Sequence, residues 1–309
     1  MRSFISPMCC GLTSPRRSCT GPLQPIKAVT AGLEVCELAT RIIVGLALGP
    51  AFLAALFFLP PMALAALVAV IAAAASYELL RATKVAHHNG MYIFTALAAV
   101  LIPLGHGLGY GSWTARAAAI LLMAALFIPA LGRYGTPSEI RFEHIIVCLF
   151  GGIGISLFLS ALVQLKRFEN GQFYVLLPVV CAFTTDIGAY FFGVFLGKHR
   201  GITQVSPNKS LEGYLGGILS GCLFMLVYGV LVRELGGIAV QLPVMALYGL
   251  LGSAITELGD LSFSLIKRQC GVKDYGNLLP GHGGMMDRFD STTFAAPMLL
   301  LLVELLPAF

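Results

Sequence analysis

Residues 42–80 read IIVGLALGPAFLAALFFLPPMALAALVAVIAAAASYELL, an almost unbroken apolar run. Crossing a bilayer as a helix takes about 20 such residues. Pro60-Pro61 splits the run into two segments of that size, near 42–59 and 62–80, and reads as a tight turn between them. A soluble domain has no use for two adjacent apolar helices of that length. The stretch sets the fold class: all-α, with helices that satisfy their own backbone hydrogen bonds inside lipid.

Working outward, further apolar stretches lie near 91–108, 115–132, 144–164, 174–196, 211–232, 238–266 and 291–307, which makes about nine expected spans. The chain of 309 residues is 57% hydrophobic and 11% charged, with a mean hydropathy of +0.85. Soluble domains carry about 25% charged residues, so a soluble globule is excluded. The formal net charge of +5 is modest and forms no basic stripe, so nucleic acid is not an expected partner. The bilayer is. Eight cysteines include no CxxC pair, which leaves no zinc or redox motif. Residues 1–36 hold Pro, Ser, Cys and Arg without a sustained apolar core. They read as a disordered basic tail rather than a signal peptide. Residues 37–309 then form the membrane domain, with 37–170 as scaffold helices and 171–309 as the half that carries chemistry.

With the N-terminus placed inside, 16 of the 20 lysines and arginines fall on the inner side, and Arg116, Lys166, Arg167 and Arg233 fall outside. That bias follows the positive-inside rule. It puts the loops 197–213 and 267–290 together on the cytoplasmic face and Phe309 outside.

Residues 264–290, SLIKRQCGVKDYGNLLPGHGGMMDRFD, concentrate charge at one membrane edge. Lys267, Arg268, Lys273 and Arg288 suit phosphate oxygens, and Asp274, Asp287 and Asp290 are hard oxygen ligands of the kind Mg²⁺ takes. Gly283 and Gly284 let backbone N–H groups approach an anion closely. A plain interfacial loop that only fixes topology is the structural alternative. Just upstream, Glu257, Asp260, Ser264 and Lys267 advance by 3, 4 and 3, which places acid, acid, hydroxyl and base on one helix face. An intrahelical Asp260–Ser264 or Glu257–Arg268 contact would account for the same pattern without function. Asp186, between Thr185 and Ile187, is an intramembrane carboxylate, and such a group lines a polar cavity or anchors neighbouring helices. In VSPNKSLEG, residues 205–213, Ser206 or Ser210 suits a helix cap with Glu212 in the first turn, while Lys209 and Ser206 suit a phosphate. His282 is flanked by glycines and is able to donate to phosphate; His87, His88, His106, His144 and His199 show no ligand spacing.

The 264–290 segment resembles the phosphatidate cytidylyltransferase (CDP-diglyceride synthase) family. The family pattern is met without a gap by Ser264, Lys267, Arg268, Lys273, Asp274, Gly276, Leu279, Pro280, His282, Gly283, Gly284, Asp287, Arg288 and Asp290. A looser likeness covers about residues 37–309. The resemblance implies that Asp260 and Asp287 bind a divalent metal, Mg²⁺, with room for a second, monovalent cation. It implies CTP and phosphatidate as substrates, and CDP-diacylglycerol and pyrophosphate as products. Lys209, Lys267, Arg268, Lys273, Asp274, His282, Arg288 and Asp290 would be catalytic. Asp186, Ser206, Glu212, Ser264, Gly283 and Gly284 would bind substrate. A homodimer is one assembly compatible with such an enzyme. Two departures stand out: Asn208 replaces a family lysine, and Val194 replaces a basic residue after the Asp186 segment. A CTP-dependent lipid kinase remains an alternative by residue chemistry. An ion-coupled transporter is disfavoured because the two halves do not repeat. The Asp-Gly-x-x-Ala-Arg motif of CDP-alcohol phosphotransferases is absent.

Overall fold

The computed structural model describes residues 48–84, 89–201, 204–207, 209–278 and 283–309. The tail 1–36, His87, His88, Asn208 and His282 lie outside them. Among the described residues the regular structure is helical, and an isolated antiparallel bridge pairs Arg200 with Ser210.

The helices are α1 (Leu48–Phe58), α2 (Pro61–Ala82), α3 (Asn89–Leu108), α4 (Gly111–Gly132), α5 (Phe142–Leu149), α6 (Ser156–Lys166), α7 (Gly171–Tyr174), α8 (Leu177–Phe195), α9 (Leu211–Gly236), α10 (Leu242–Gln269) and α11 (Met286–Leu305). A π-helical stretch, Phe150–Ile155, joins α5 to α6 into one rod. Seven units are long and apolar enough to cross a membrane: α2, α3, α4, the rod 142–166, the pair α7–α8, α9 and α10. Seven of the nine expected spans have such a counterpart among the described residues. The first expected span is described only from Leu48, as the short α1. The last, α11, begins five residues before the expected 291 and takes Asp287, Arg288 and Asp290 into its first turns.

Local sequence explains the boundaries. Pro60 and Pro61 end α1 and start α2, where the missing proline N–H costs no helical bond. Pro243 starts α10 in the same way, leaving 238–241 outside the helix. Ser210 caps α9 by accepting from Gly213 N–H at 3.1 Å. The helices alternate up and down, so the C-terminal ends of α2, α8 and α10 meet the N-terminal ends of α9 and α11 at one end of the bundle. Small residues draw α8, α9 and α10 together, the usual means of helix association in lipid. A methyl at Gly217 would come within 2.8 Å of Glu257 Oε1 and 3.0 Å of Thr185 O.

The opposite end is tied by side-chain caps. Lys166 Nζ donates to the carbonyls of Leu56 and Phe57, both at 2.7 Å, at the end of α1. Arg167 donates to His106 O and Gly107 O at the end of α3. Two of the four cations that break the charge bias therefore serve as helix caps. Tyr174 stacks on Phe309 at 4.0 Å, and Tyr248 Oη donates to Leu306 O, which fixes the far end of α11.

Candidate active site

The last turns of α10 supply the site. Glu257 and Asp260 both reach Lys209, in the loop before α9: Lys209 Nζ lies 2.9 Å from Glu257 Oε2 and ion-pairs with Asp260. The intrahelical alternatives are thereby replaced by a contact between elements. Burial opposes the Lys209 charge, but Asp260 and then Glu257 outweigh it and hold its pKa above the ordinary lysine value. Lys209 therefore stays cationic. Glu257 is 5% exposed, and its Oε1 has no hydrogen-bond partner among the described residues.

Seven residues further along α10, Lys267 Nζ meets Asp287 Oδ1 at 3.0 Å, with the two side chains 13% and 4% exposed. The other oxygen of Asp287 accepts Tyr275 N–H at 2.8 Å and Gly284 N–H at 3.1 Å. Asp287 thus ties the end of α10, the loop at 275 and the start of α11. Gly283 has φ +80°, a left-handed conformation that glycine adopts without strain. Tyr275, 3% exposed, props the loop by donating from its hydroxyl to Phe263 O at 2.9 Å.

Asp186 and Asp290 lie beside these pairs. Ser291 Oγ donates to Asp186 Oδ2 at 3.4 Å, and Ser291 N–H to Asp290 Oδ1 at 2.8 Å. Asp186 feels the like charges of Asp260 and Asp290, and Asp290 those of Asp260 and Asp287 together with the attraction of Lys267. Both alternatives for Asp186 find a feature in the structure: the Ser291 contact ties α8 to α11, and the carboxylate also borders a cavity. Asp186 lines this cavity of about 630 Å³ together with Asp287, Arg288 and Asp290, and its other walls include Phe52, Ile71 and Phe183. Most of the lining is apolar, and its charged members are three carboxylates and Arg288.

Other expected site residues are placed differently. Glu212 accepts from the backbone N–H groups of Lys198 and His199 and pairs with His199 Nδ1 at 2.6 Å, so it ties the 197–213 loop to α9. Ser206 O accepts Lys209 N–H in a turn at 3.1 Å. Arg268, Lys273, Asp274 and Arg288 are exposed around the site, and Ser264 is half-buried on α10.

The chain shows this geometry together with a matching family. The model of the cytidylyltransferase family covers residues 39–306. The chain belongs to that family. Phosphatidate cytidylyltransferase of Staphylococcus haemolyticus (strain JCSC1435) is 36% identical over 220 residues, or 69% of this chain and 79% of the relative. That of Staphylococcus epidermidis (strain ATCC 12228 / FDA PCI 1200) is 34% identical over 262 residues, or 82% and 96%. The enzyme of that name from Mycobacterium bovis (strain ATCC BAA-935 / AF2122/97) is 32% identical over 287 residues, or 88% and 90%.

Two residues of this cytidylyltransferase escaped the sequence reading. Tyr275 is the single aromatic between Gln269 and Met286, but it carries no charge and lies outside the phosphate- and metal-type residues of the segment. Glu78, on α2, is 4% exposed and accepts Met286 N–H at 2.9 Å, 208 residues away in the chain. Its signal was present, since it is the one charged residue in the opening 42–80 run. A glutamate in the last turns of a membrane helix is ordinary, so position alone did not mark it.

Proposed function

We propose that this membrane protein transfers the cytidylyl group of CTP to phosphatidate, giving CDP-diacylglycerol and pyrophosphate. The observation that carries the reading is the pair of lysine–carboxylate clusters, Lys209–Asp260 and Lys267–Asp287, with Asp287 also lining a largely apolar cavity that holds Asp186, Arg288 and Asp290. The apolar lining suits acyl tails, and a phosphate head would be accepted beside Arg288 and a cation held by the carboxylates, since the carboxylates alone would repel it. The phosphomonoester oxygen of phosphatidate attacks the α-phosphorus of CTP, the bond to the bridging oxygen of the β-phosphate breaks, and pyrophosphate leaves. A phosphomonoester has its second pKa near 6, so the nucleophile is already dianionic at neutral pH and needs no general base. The barrier is repulsion between two polyanions. Lys209, Lys267, Arg268, Lys273 and Arg288 neutralise and orient the phosphates. The backbone at Gly283 and His282 complete the phosphate loop. Asp186, Ser206, Glu212 and Ser264 shape the substrate side, and Asp274 and Asp290 frame its rim.

The chemistry calls for a divalent cation. No three Asp, Glu, His or Cys side chains among the described residues form a preformed cage. That fits Mg²⁺, which is commonly held by one or two carboxylates with the substrate's own phosphates completing its shell. Asp260 and Asp287 are the carboxylates that would hold it, and their pairing with the ammonium groups of Lys209 and Lys267 supports that reading, since each already sits against a positive charge. Bound there, the ion would polarise phosphate oxygens and offset their charge. The shared end of the bundle faces the cytoplasm on this reading, supported by the bias of basic residues.

The test is the protein in lipid nanodiscs, incubated with phosphatidate, Mg²⁺ and CTP labelled at the α- or the γ-phosphate. The α-label is expected in the lipid and the γ-label in pyrophosphate. A γ-label in the lipid with release of CDP would establish the lipid kinase instead.

A further inference from the structure

Glu78 lies in the half of the chain that the sequence assigns to scaffold, yet its carboxylate touches the start of α11. The first N–H groups of a helix have no partner within it and need an outside acceptor. Met285, at the cap position of α11, supplies no side-chain bond. Glu78 Oε2 meets this need from another helix, accepting the N–H of Met286, the first residue of α11. A negative group at a helix N-terminus is also favoured by the helix dipole.

The fit around Glu78 is close on all sides. A methyl at Gly276 would lie 2.5 Å from Glu78 Oε1, and one at Gly284 would lie 2.5 Å from Oε2. The loop leaving α10, at Gly276, and the segment entering α11, at Gly284, therefore wrap the carboxylate. The turn carrying Glu78 is itself anchored, since Ser76 Oγ donates to Gly151 O in the π-helical stretch at 2.6 Å. Asp287 and Asp290 occupy the first turns of α11, so whatever fixes Met286 fixes both.

We propose that Glu78 is a positioning residue for the reaction: by its reach to Met286 N–H it sets the first turn of α11, and through it Asp287 and Lys267. The inference rests on the cytidylyl-transfer reading for its kinetic consequence. Its structural content stands apart from that reading.

Two substitutions separate reach from charge. Glu78→Gln keeps the acceptor at the same distance and loses the charge. Glu78→Asp keeps the charge and withdraws the acceptor by one methylene. With the full chain in nanodiscs, Glu78→Gln is expected to keep kcat within about threefold of the unsubstituted protein. Glu78→Asp is expected to lose about 10–100-fold in kcat, the scale seen when a partner that orients a site ligand is removed. KM for phosphatidate is expected to stay within about twofold. Added to Asp287→Asn, Glu78→Asp is expected to lower the residual rate no further, because the two act as a unit. Hydrogen exchange at residues 284–291 reads the same inference without reference to catalysis, and should speed up in Glu78→Asp but not in Glu78→Gln. The reverse order of activities, multiplying losses in the double variant, or unchanged exchange in Glu78→Asp would overturn the positioning role. An unsubstituted protein that makes no CDP-diacylglycerol but shows the expected exchange pattern would refute the reaction and leave the positioning intact.

Discussion

Asp287 joins three parts of the site through its two oxygens. One oxygen takes the Lys267 ammonium and the other takes two backbone N–H groups. Asp287→Asn keeps the shape but removes the charge that pairs with Lys267 and would hold a cation. Its turnover is expected to fall by about 10²–10³-fold, the range for loss of one preorganised electrostatic group. The comparison is CDP-diacylglycerol formation at matched protein levels. Lys209 differs because it satisfies two carboxylates, one of them buried. Lys209→Ala leaves Glu257 buried with its charge unpaired, a change that costs about 3–5 kcal/mol. A clear drop in thermal unfolding temperature is expected in detergent, and Glu257→Gln in the same chain should restore much of it without restoring activity. A single Lys209→Ala variant as stable as the original would mean that water already solvates Glu257. Single residues were legible here because a membrane makes every charge conspicuous. Asp186, Asp260, Lys267 and Asp287 stood out for that reason. Glu78 did not, because its function depends on a loop about two hundred residues later, and no local pattern encodes that contact.

At the scale of elements, α8, α9 and α10 form the wall that holds Glu257 and Asp260 against Lys209. The wall depends on close approach at Gly217, where a side chain would meet Glu257 and the Thr185 carbonyl. Gly217→Ala is expected to destabilise the protein by about 1–3 kcal/mol, the usual cost of overpacking. Activity should fall further than stability alone explains, since Glu257 has to shift. Unfolding temperature and initial rate measured on one preparation check both. The start of α11 was the least legible boundary. Asp290 is the last charged residue of the 264–290 segment, so the expected span starts after it, but Asp287 in a first turn is itself a helix-start signal. The expected face 257-260-264-267 emerged at both ends, with Glu257 and Asp260 on Lys209 and Lys267 on Asp287, because helical periodicity alone determines it. The partners on other elements were beyond its reach.

Over the whole molecule, hydropathy and basic-residue bias made the membrane class and the common face of the two loops readable. The Lys209–Asp260 and Lys267–Asp287 pairs confirm that the loops share one end of the bundle. Orientation in the bilayer can be tested at exposed positions. With the eight native cysteines replaced, Lys273→Cys should resist an impermeant external reagent in intact cells, and Arg233→Cys should react with it. The opposite pattern would invert the molecule. The central claim is that the clustered carboxylates and lysines join a nucleotide to a lipid phosphate. Its most direct test is the initial rate of CDP-diacylglycerol and pyrophosphate formation across a Mg²⁺ titration, for the purified original protein and for Asp287→Asn. The original is expected to form the two products in equal amounts with a strict Mg²⁺ requirement, and folded Asp287→Asn to form almost none at any concentration. Matching rates and matching Mg²⁺ dependence in the two proteins would contradict the account.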